Sequence, residues 1–202
     1  MTRTSSTADP TTTDLPNNGD ASLHTNTTSG DVFYAVNVNG VIRRMLLNRS
    51  YDIVTSSVTV ANTTTETTVY TANIDPNELV VGKVIEVKLQ GIYSTANSAD
   101  TFNVNVYLDG SLVATITSDP KQVTGAEFDI QFLSTIRSVG ASGTARTFLY
   151  AHVADVDKSV ASNALAPIDT TITNTITVSI QWSSATAGDT LTLQQGYKRI
   201  TY

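Results

Sequence analysis

From residue 67 onward, apolar and polar residues alternate with a period of two in one short run after another. Residues 171–182 show this best. Ile172, Asn174, Ile176, Val178, Ile180 and Trp182 take the even positions, and Thr171, Thr173, Thr175, Thr177, Ser179 and Gln181 take the odd ones. That spacing predicts a long strand with one buried and one wet face, interrupted once at Asn174. The same alternation puts Ile85, Val87 and Leu89 on one face, then Phe102, Val104, Val106 and Leu108, then Phe128, Ile130 and Phe132. Asp109 and Gly110 are a two-residue hairpin signal, after which Leu112, Ala114 and Ile116 share a face. Runs at 67–72, 147–153 and 191–202 bring the total to about eight strands, the number of a jelly roll. Beyond a single candidate turn around residues 158–166, no segment has helical periodicity, which argues against α/β architectures. The expected fold is an all-β, antiparallel jelly-roll sandwich.

The front of the chain reads differently. Residues 1–30 are rich in Thr, Ser, Asn, Asp, Gly and Pro, too polar to bury a core, and are expected to form an extended low-complexity arm. Residues 31–53 form a β-hairpin unit: the run from Val32 to Asn37, a turn at Asn39 and Gly40, and a return from Val41 to Leu47. A hairpin of that size is not stable alone in water and should pack on a partner. Residues 54–66 read as a linker and residues 67–202 as the jelly-roll domain.

Composition sharpens this picture. Thr accounts for 34 of the 202 residues and charged side chains for only 15%. β-Branched side chains suit a pleated surface. A neutral hydroxyl face such as that of Thr173, Thr175, Thr177 and Ser179 suits packing against another subunit, so these four are candidate trimer or sheet-face residues. The net charge of −6 argues against a general grip on nucleic acid, which needs clustered cations. There is no Cys, which excludes disulfides, thiolate metal sites and cysteine nucleophiles. No apolar run approaches the roughly 20 residues of a membrane span. The first residues lack the apolar core of a signal peptide.

Little in the chain suggests catalysis, and no cofactor is expected. His152 is followed by Asp155 and Asp157, metal-friendly types, but a continuous strand would turn the His away from the two carboxylates. A strand running into a polar turn is the preferred reading. The segment from Gly140 to Gly143 has no following Lys or helix and reads as a loop rather than a phosphate cradle. Arg43, Arg44 and Arg49 form a basic cluster that either pairs with carboxylates on a partner or is solvated surface charge. Tyr93 and Tyr107 would stack on sugars if exposed, and would otherwise pack at a sheet edge or subunit seam.

Several segments resemble jelly-roll virion proteins of tailed bacteriophages. Ile168, Asp169, Thr170, Thr171, Asn174, Thr175, Val178, Gln181, Trp182, Ser183 and Ala185 are similar to the penultimate strand of those domains. The segment from Ile74 to Lys83, with Pro76, Asn77, Leu79 and Gly82, resembles their first inter-strand turn, with Asp75 as an extra residue. Arg137, Gly140, Gly143 and Thr144 resemble their Arg-x-x-Gly-x-x-Gly-Thr segment, and the hairpin at 31–53 resembles a module near the front of phage fibre proteins. The resemblance implies a homotrimeric knob on a virion, assembled in the bacterial cytoplasm, with no enzymatic activity. Two functions follow. One is capsid decoration, as a cement protein or head fibre, with the arm and hairpin gripping the major capsid protein. The other is a tail-fibre or receptor-binding knob that recognises a host glycan through loops 94–100, 118–126, 138–146 and 156–168. The arm–hairpin–domain order favours the first. Neither nucleic acid nor a membrane is an expected partner.

Overall fold

The computed structural model describes residues 2–6, 10–11, 13–26, 32–46, 52–118, 121–153, 156–161 and 164–201. All regular structure among them is strand, and the chain divides into two compact units, residues 1–51 and 52–202.

The first unit is a four-stranded sheet of β1 (Thr2–Ser6), β2 (Ala21–Asn26), β3 (Val32–Val38) and β4 (Val41–Leu46), in that order. β1 runs parallel to β2, and the other neighbours are antiparallel. The turn between β3 and β4 has Asn39 at φ 54° and Gly40 at φ 80°, the pair of positive angles that matches the twist of a tight hairpin. One face of the sheet is buried: Ser22 and His24 from β2, and Phe33, Ala35 and Asn37 from β3. Leu15 is buried too, and its segment is sewn to β3 by Asn37. The Asn37 amide donates to Leu15 O at 2.6 Å, its backbone N–H to Asp20 O at 2.9 Å, and its carbonyl accepts from Gly19 N at 2.8 Å. Residues 1–30 are therefore not separate from the hairpin. They supply two of its strands and part of its cover.

The second unit is a sandwich. Its strands are β5 (Asp52–Ile53), β6 (Val58–Ala61), β7 (Thr67–Ile74), β8 (Val84–Thr95), β9 (Phe102–Leu108), β10 (Ser111–Thr117), β11 (Val123–Ser138), β12 (Gly143–Val153), β13 (Val156–Ala161), β14 (Ala166–Ile168), β15 (Asn174–Trp182) and β16 (Thr190–Thr201). One sheet has the order β10-β9-β15-β7. The other has the order β13-β12-β11-β8-β16-β5, with β6 also on β16 and β14 on β12. The antiparallel pairs nest: β6 with β16, β7 with β15, β8 with β11 and β9 with β10. First pairs with last, second with penultimate, and so on inward, which is a long hairpin folded over into a jelly roll.

The expected jelly roll is thus present, with different membership. The segment read as a linker contributes β6, the first strand of the nest. The run at 147–153 lies in β12, which belongs to an excursion of β12, β13 and β14 between the sixth and seventh strands. The alternating run at 171–182 becomes a strand only from Asn174. Before it, the Asp169 carboxylate accepts from Thr171 N at 2.9 Å and from Thr171 Oγ1 at 2.6 Å, a side-chain turn that competes with strand geometry. Ile172 is left exposed, while Asn174 is buried and donates to Asp169 O at 2.6 Å.

The inward faces of both sheets make one core. Val87, Leu89, Val104, Val106, Ile130, Phe132, Ile176, Val178, Ile180 and Leu193 are all buried within it. Each such side chain contributes about 1.5–3 kcal/mol relative to exposure. Towards one end, Tyr93 packs edge-on to Phe102 with centroids 5.9 Å apart, and Phe102 edge-on to Trp182 at 5.0 Å. Gly91 in β8 is required by close approach, since a Cβ there would lie 2.0 Å from Thr192 O and 2.9 Å from the Phe128 ring.

Candidate functional site

The second unit presents the two outer faces of its sandwich. Facing outward on the four-stranded sheet, by register, are Asn73 and Thr175; Thr71, Thr177, Tyr107 and Leu112; Thr68, Ser179, Asn105 and Thr115; and Gln181, Asn103 and Thr117. None of these strand residues is charged. Their polar groups bond to one another along the face. Thr115 Oγ1 donates to Asn105 Oδ1 at 2.6 Å, Thr117 Oγ1 to Asn103 Oδ1 at 2.7 Å, and Thr175 Oγ1 to Asn73 Oδ1 at 3.3 Å. The turn before β7 lays one carboxylate on this face. Glu66 Oε1 accepts from the Ser179 hydroxyl, from Asn105 Nδ2 at 2.9 Å and from Tyr107 OH at 2.7 Å. The Ser179 hydrogen bond, followed by those of Asn105 and Tyr107, holds the Glu66 carboxyl below its ordinary value against the opposing effect of burial. Ser179 is consequently buried, Thr175 and Thr177 are half-buried, and Thr173 lies exposed ahead of the strand.

The outer face of the larger sheet is charged. One row runs Asp157, His152, Asp129, Gln90, Gln195, and the next runs Ser159, Tyr150, Gln131, Lys88, Tyr197. Lys88 pairs with Asp129 at 3.2 Å and Arg199 Nε with Glu86 Oε2 at 2.5 Å. His152 and Asp157 lie directly opposite one another, with Nδ1 and Oδ1 2.6 Å apart, and Tyr150 OH donates to the same carboxylate oxygen at 2.6 Å. One continuous strand would have put His152 and Asp157 on opposite faces; the antiparallel pairing of β12 with β13 sets them side by side instead. Asp155 lies outside the described residues, and no group of three potential metal ligands forms among those described.

The basic cluster is not brought together. Arg43 and Arg44 are neighbours on β4 and project to opposite faces, Arg43 opposite Val36 and Arg44 opposite Ala35. Arg49 lies outside the described residues. Arg43 sits in an exposed apolar face with Tyr34, Val38, Val41 and Met45, the last 56% exposed. Of the tyrosines considered for sugar stacking, Tyr93 is buried in the core and Tyr107 is tied to Glu66. The candidate loops are also shorter than expected, because residues 123–126, 143–146 and 156–161 belong to strands.

One cluster was invisible in the sequence. At one end of the sandwich, Asp100 and Asp189 are both buried and their carboxyl groups meet. Burial raises Asp189 above its ordinary value, while the Ser184 and Thr186 hydroxyls lower Asp100. Loops far apart in sequence carry the pair, and no short motif announces such a meeting.

The second unit is, by its strand nesting, a jelly-roll sandwich. No family model matches the sequence, and no curated protein matches it. Solved structures similar to it include the insecticidal delta-endotoxin Cry8Ea1 of Bacillus thuringiensis, at 11% identity and TM-score 0.37, covering 72% of this chain and 20% of that one. Others are an infectious bursal disease virus structure of the Gt strain, at 14% identity and TM-score 0.33, covering 85% and 40%, and the subviral particle of that virus's VP2, at 16% and 0.28, covering 78% and 34%. The chain spans less than half the length of each of these. TM-scores this low carry no argument about function, which rests on the chain's own residues.

Proposed function

We propose that this chain is a non-enzymatic structural protein of a bacteriophage virion that decorates the capsid as a cement protein or head fibre. In this reading residues 1–51 attach it to the major capsid protein, and residues 52–202 project as a homotrimeric knob. The virion assignment is supported by the resemblance of residues 67–202 to phage jelly-roll domains. The observation that carries the assembly is the uncharged, self-bonded face of β7, β15, β9 and β10. Covering polar groups that already have partners avoids the penalty of burying unpaired ones. A stable contact takes about 800 Å² from each partner, and three copies around an axis would cover this face together with the exposed Leu112 at its edge. Attachment is supported by the apolar face around Arg43, whose guanidinium can hold a partner's carboxylate in a bidentate bond.

Sedimentation equilibrium of the full chain tests the assembly. A mass three times the 21.5 kDa of one chain is expected, and a monomer at micromolar concentration would sink the reading. Immunogold electron microscopy of the intact particle tests the location. Label over the head supports decoration, and label at the tail tip supports the alternative.

That alternative, a receptor-binding knob for a host glycan, is favoured by one observation. Tyr150 and Tyr197 flank Gln131 and Lys88 in a single half-exposed row of the larger sheet. Aromatic faces beside amide and charged groups are the chemistry that holds sugars. A glycan array with the full chain decides: binding to one sugar class, lost in Tyr150→Ala, supports it, and a blank array removes it.

A further inference from the structure

We propose that the loops 96–101 and 183–189 form a binding site for a divalent cation, with calcium as the ion the donor set fits. Asp189 is fully buried; its Oδ1 accepts from Ala96 N at 2.9 Å, and its Oδ2 faces the Ser184 hydroxyl at 3.4 Å. Asp100 is 6% exposed, and its Oδ2 is buried without any hydrogen-bond partner. Ser184, Thr186 and Asp189 are the neighbours that act on its carboxyl group, and Ser184 Oγ lies 2.8 Å from Thr186 Oγ1. Two carboxylates and two hydroxyls from separate loops therefore converge, all of them oxygen donors.

A buried carboxylate oxygen without a partner is rare and calls for an explanation. Here a second carboxylate stands beside it. Two like charges under low-dielectric cover repel, and a cation between them turns that repulsion into attraction. Oxygen-only donors suit a hard ion. Calcium takes roughly 6–8 of them in flexible geometry, so waters complete the shell. Solvent is close at hand, because Asn97, Ser98, Ala99, Ala185 and Ala187 directly around the donors are exposed. The loops are held in place independently of any ion. Ser183 N donates to Thr101 O at 2.8 Å, Thr101 N to Ser183 Oγ at 2.9 Å, and Gly188 N to Asn62 Oδ1 at 2.9 Å. Loop 96–101 joins β8 to β9 and loop 183–189 joins β15 to β16, so each passes from one sheet to the other. A cation between them clamps both sheets at this end.

Trp182, the single tryptophan, stands two residues before Ser184 and makes a built-in reporter. Terbium is added to the full chain and its emission read under tryptophan excitation, then competed with calcium. Melting temperature is followed in parallel with calcium or with a chelator. Sensitised terbium emission that calcium displaces is expected, with a melting temperature higher in calcium by roughly 5–10 °C at a hundredfold excess over Kd. Asp100→Asn should keep the fold and lose both responses. Ser184→Ala should weaken terbium binding while leaving some emission. Wild-type emission no greater than that of Asp100→Asn, together with equal melting temperatures in calcium and chelator, overturns the proposal.

Discussion

The two outer faces of the jelly roll are made from the same kind of strand and yet differ in chemistry. The face of β7, β15, β9 and β10 has no charged strand residue and satisfies its hydroxyls and amides among themselves. The face of β13, β12, β11, β8 and β16 carries Asp157, His152, Asp129, Lys88, Glu86 and Arg199. A sheet that needs only water on its outer side has no reason to exclude charge, because a solvated Lys or Glu costs nothing there and helps solubility. Excluding charge has a use when the face meets another protein surface, where an unpaired charge is expensive. The charged face shows no such exclusion.

Both faces rest on one core, so a core lesion should abolish the contrast altogether. Phe132→Ala leaves a cavity at the centre of that core, and a loss of about 3–5 kcal/mol is expected in urea unfolding. The matched pair Thr177→Lys and Gln131→Lys probes the contrast itself. The first places an ammonium in the neutral face and should reduce the sedimenting species from trimer to monomer. The second places it among charges and should leave the mass unchanged. Equal behaviour of the two would erase the distinction.

A smaller effect comes from the one carboxylate on the neutral face. Glu66→Ala removes the acceptor shared by Ser179, Asn105 and Tyr107, and about 1 kcal/mol is expected to be lost. Because its hydrogen bonds hold this carboxyl below the ordinary 4.5, its contribution is present above that pH and disappears as pH falls through the lowered value. Melting curves of wild type and Glu66→Gln should therefore differ at pH 7 and converge in acid. The least change belongs to the charged face: Asp157→Asn breaks an exposed pair with His152 and should leave the melting temperature where it was.

Strand periodicity made the sandwich legible, because each face of the core reads directly as every second residue. What escaped has physical causes. β6 is only Val58–Ala61 within a run of Thr and Ser, too short to stand out. β2 is inverted: its polar Ser22 and His24 point inward, and Leu23 does not, so residues 21–26 show no apolar face and read as part of a polar arm. At Thr171 a local carboxylate overrode strand propensity. The surface candidates Thr175, Thr177 and Ser179 were legible as one face, whereas the bonds among that face's residues, and the Asp100–Asp189 meeting, depend on strands that only the fold makes adjacent.

The position of β16 has a consequence for how the protein is made. This strand lies between β8 and the β5–β6 edge, inside the larger sheet, yet residues 190–201 leave the ribosome after every strand they pair with. Until they emerge, β8 presents an open backbone edge and β6 has no neighbour to pair with. Closure of the sheet waits on a contact spanning most of the unit, the slow kind of step in folding. A stalled or clipped chain would keep that edge exposed, the form most prone to pair with another copy and aggregate.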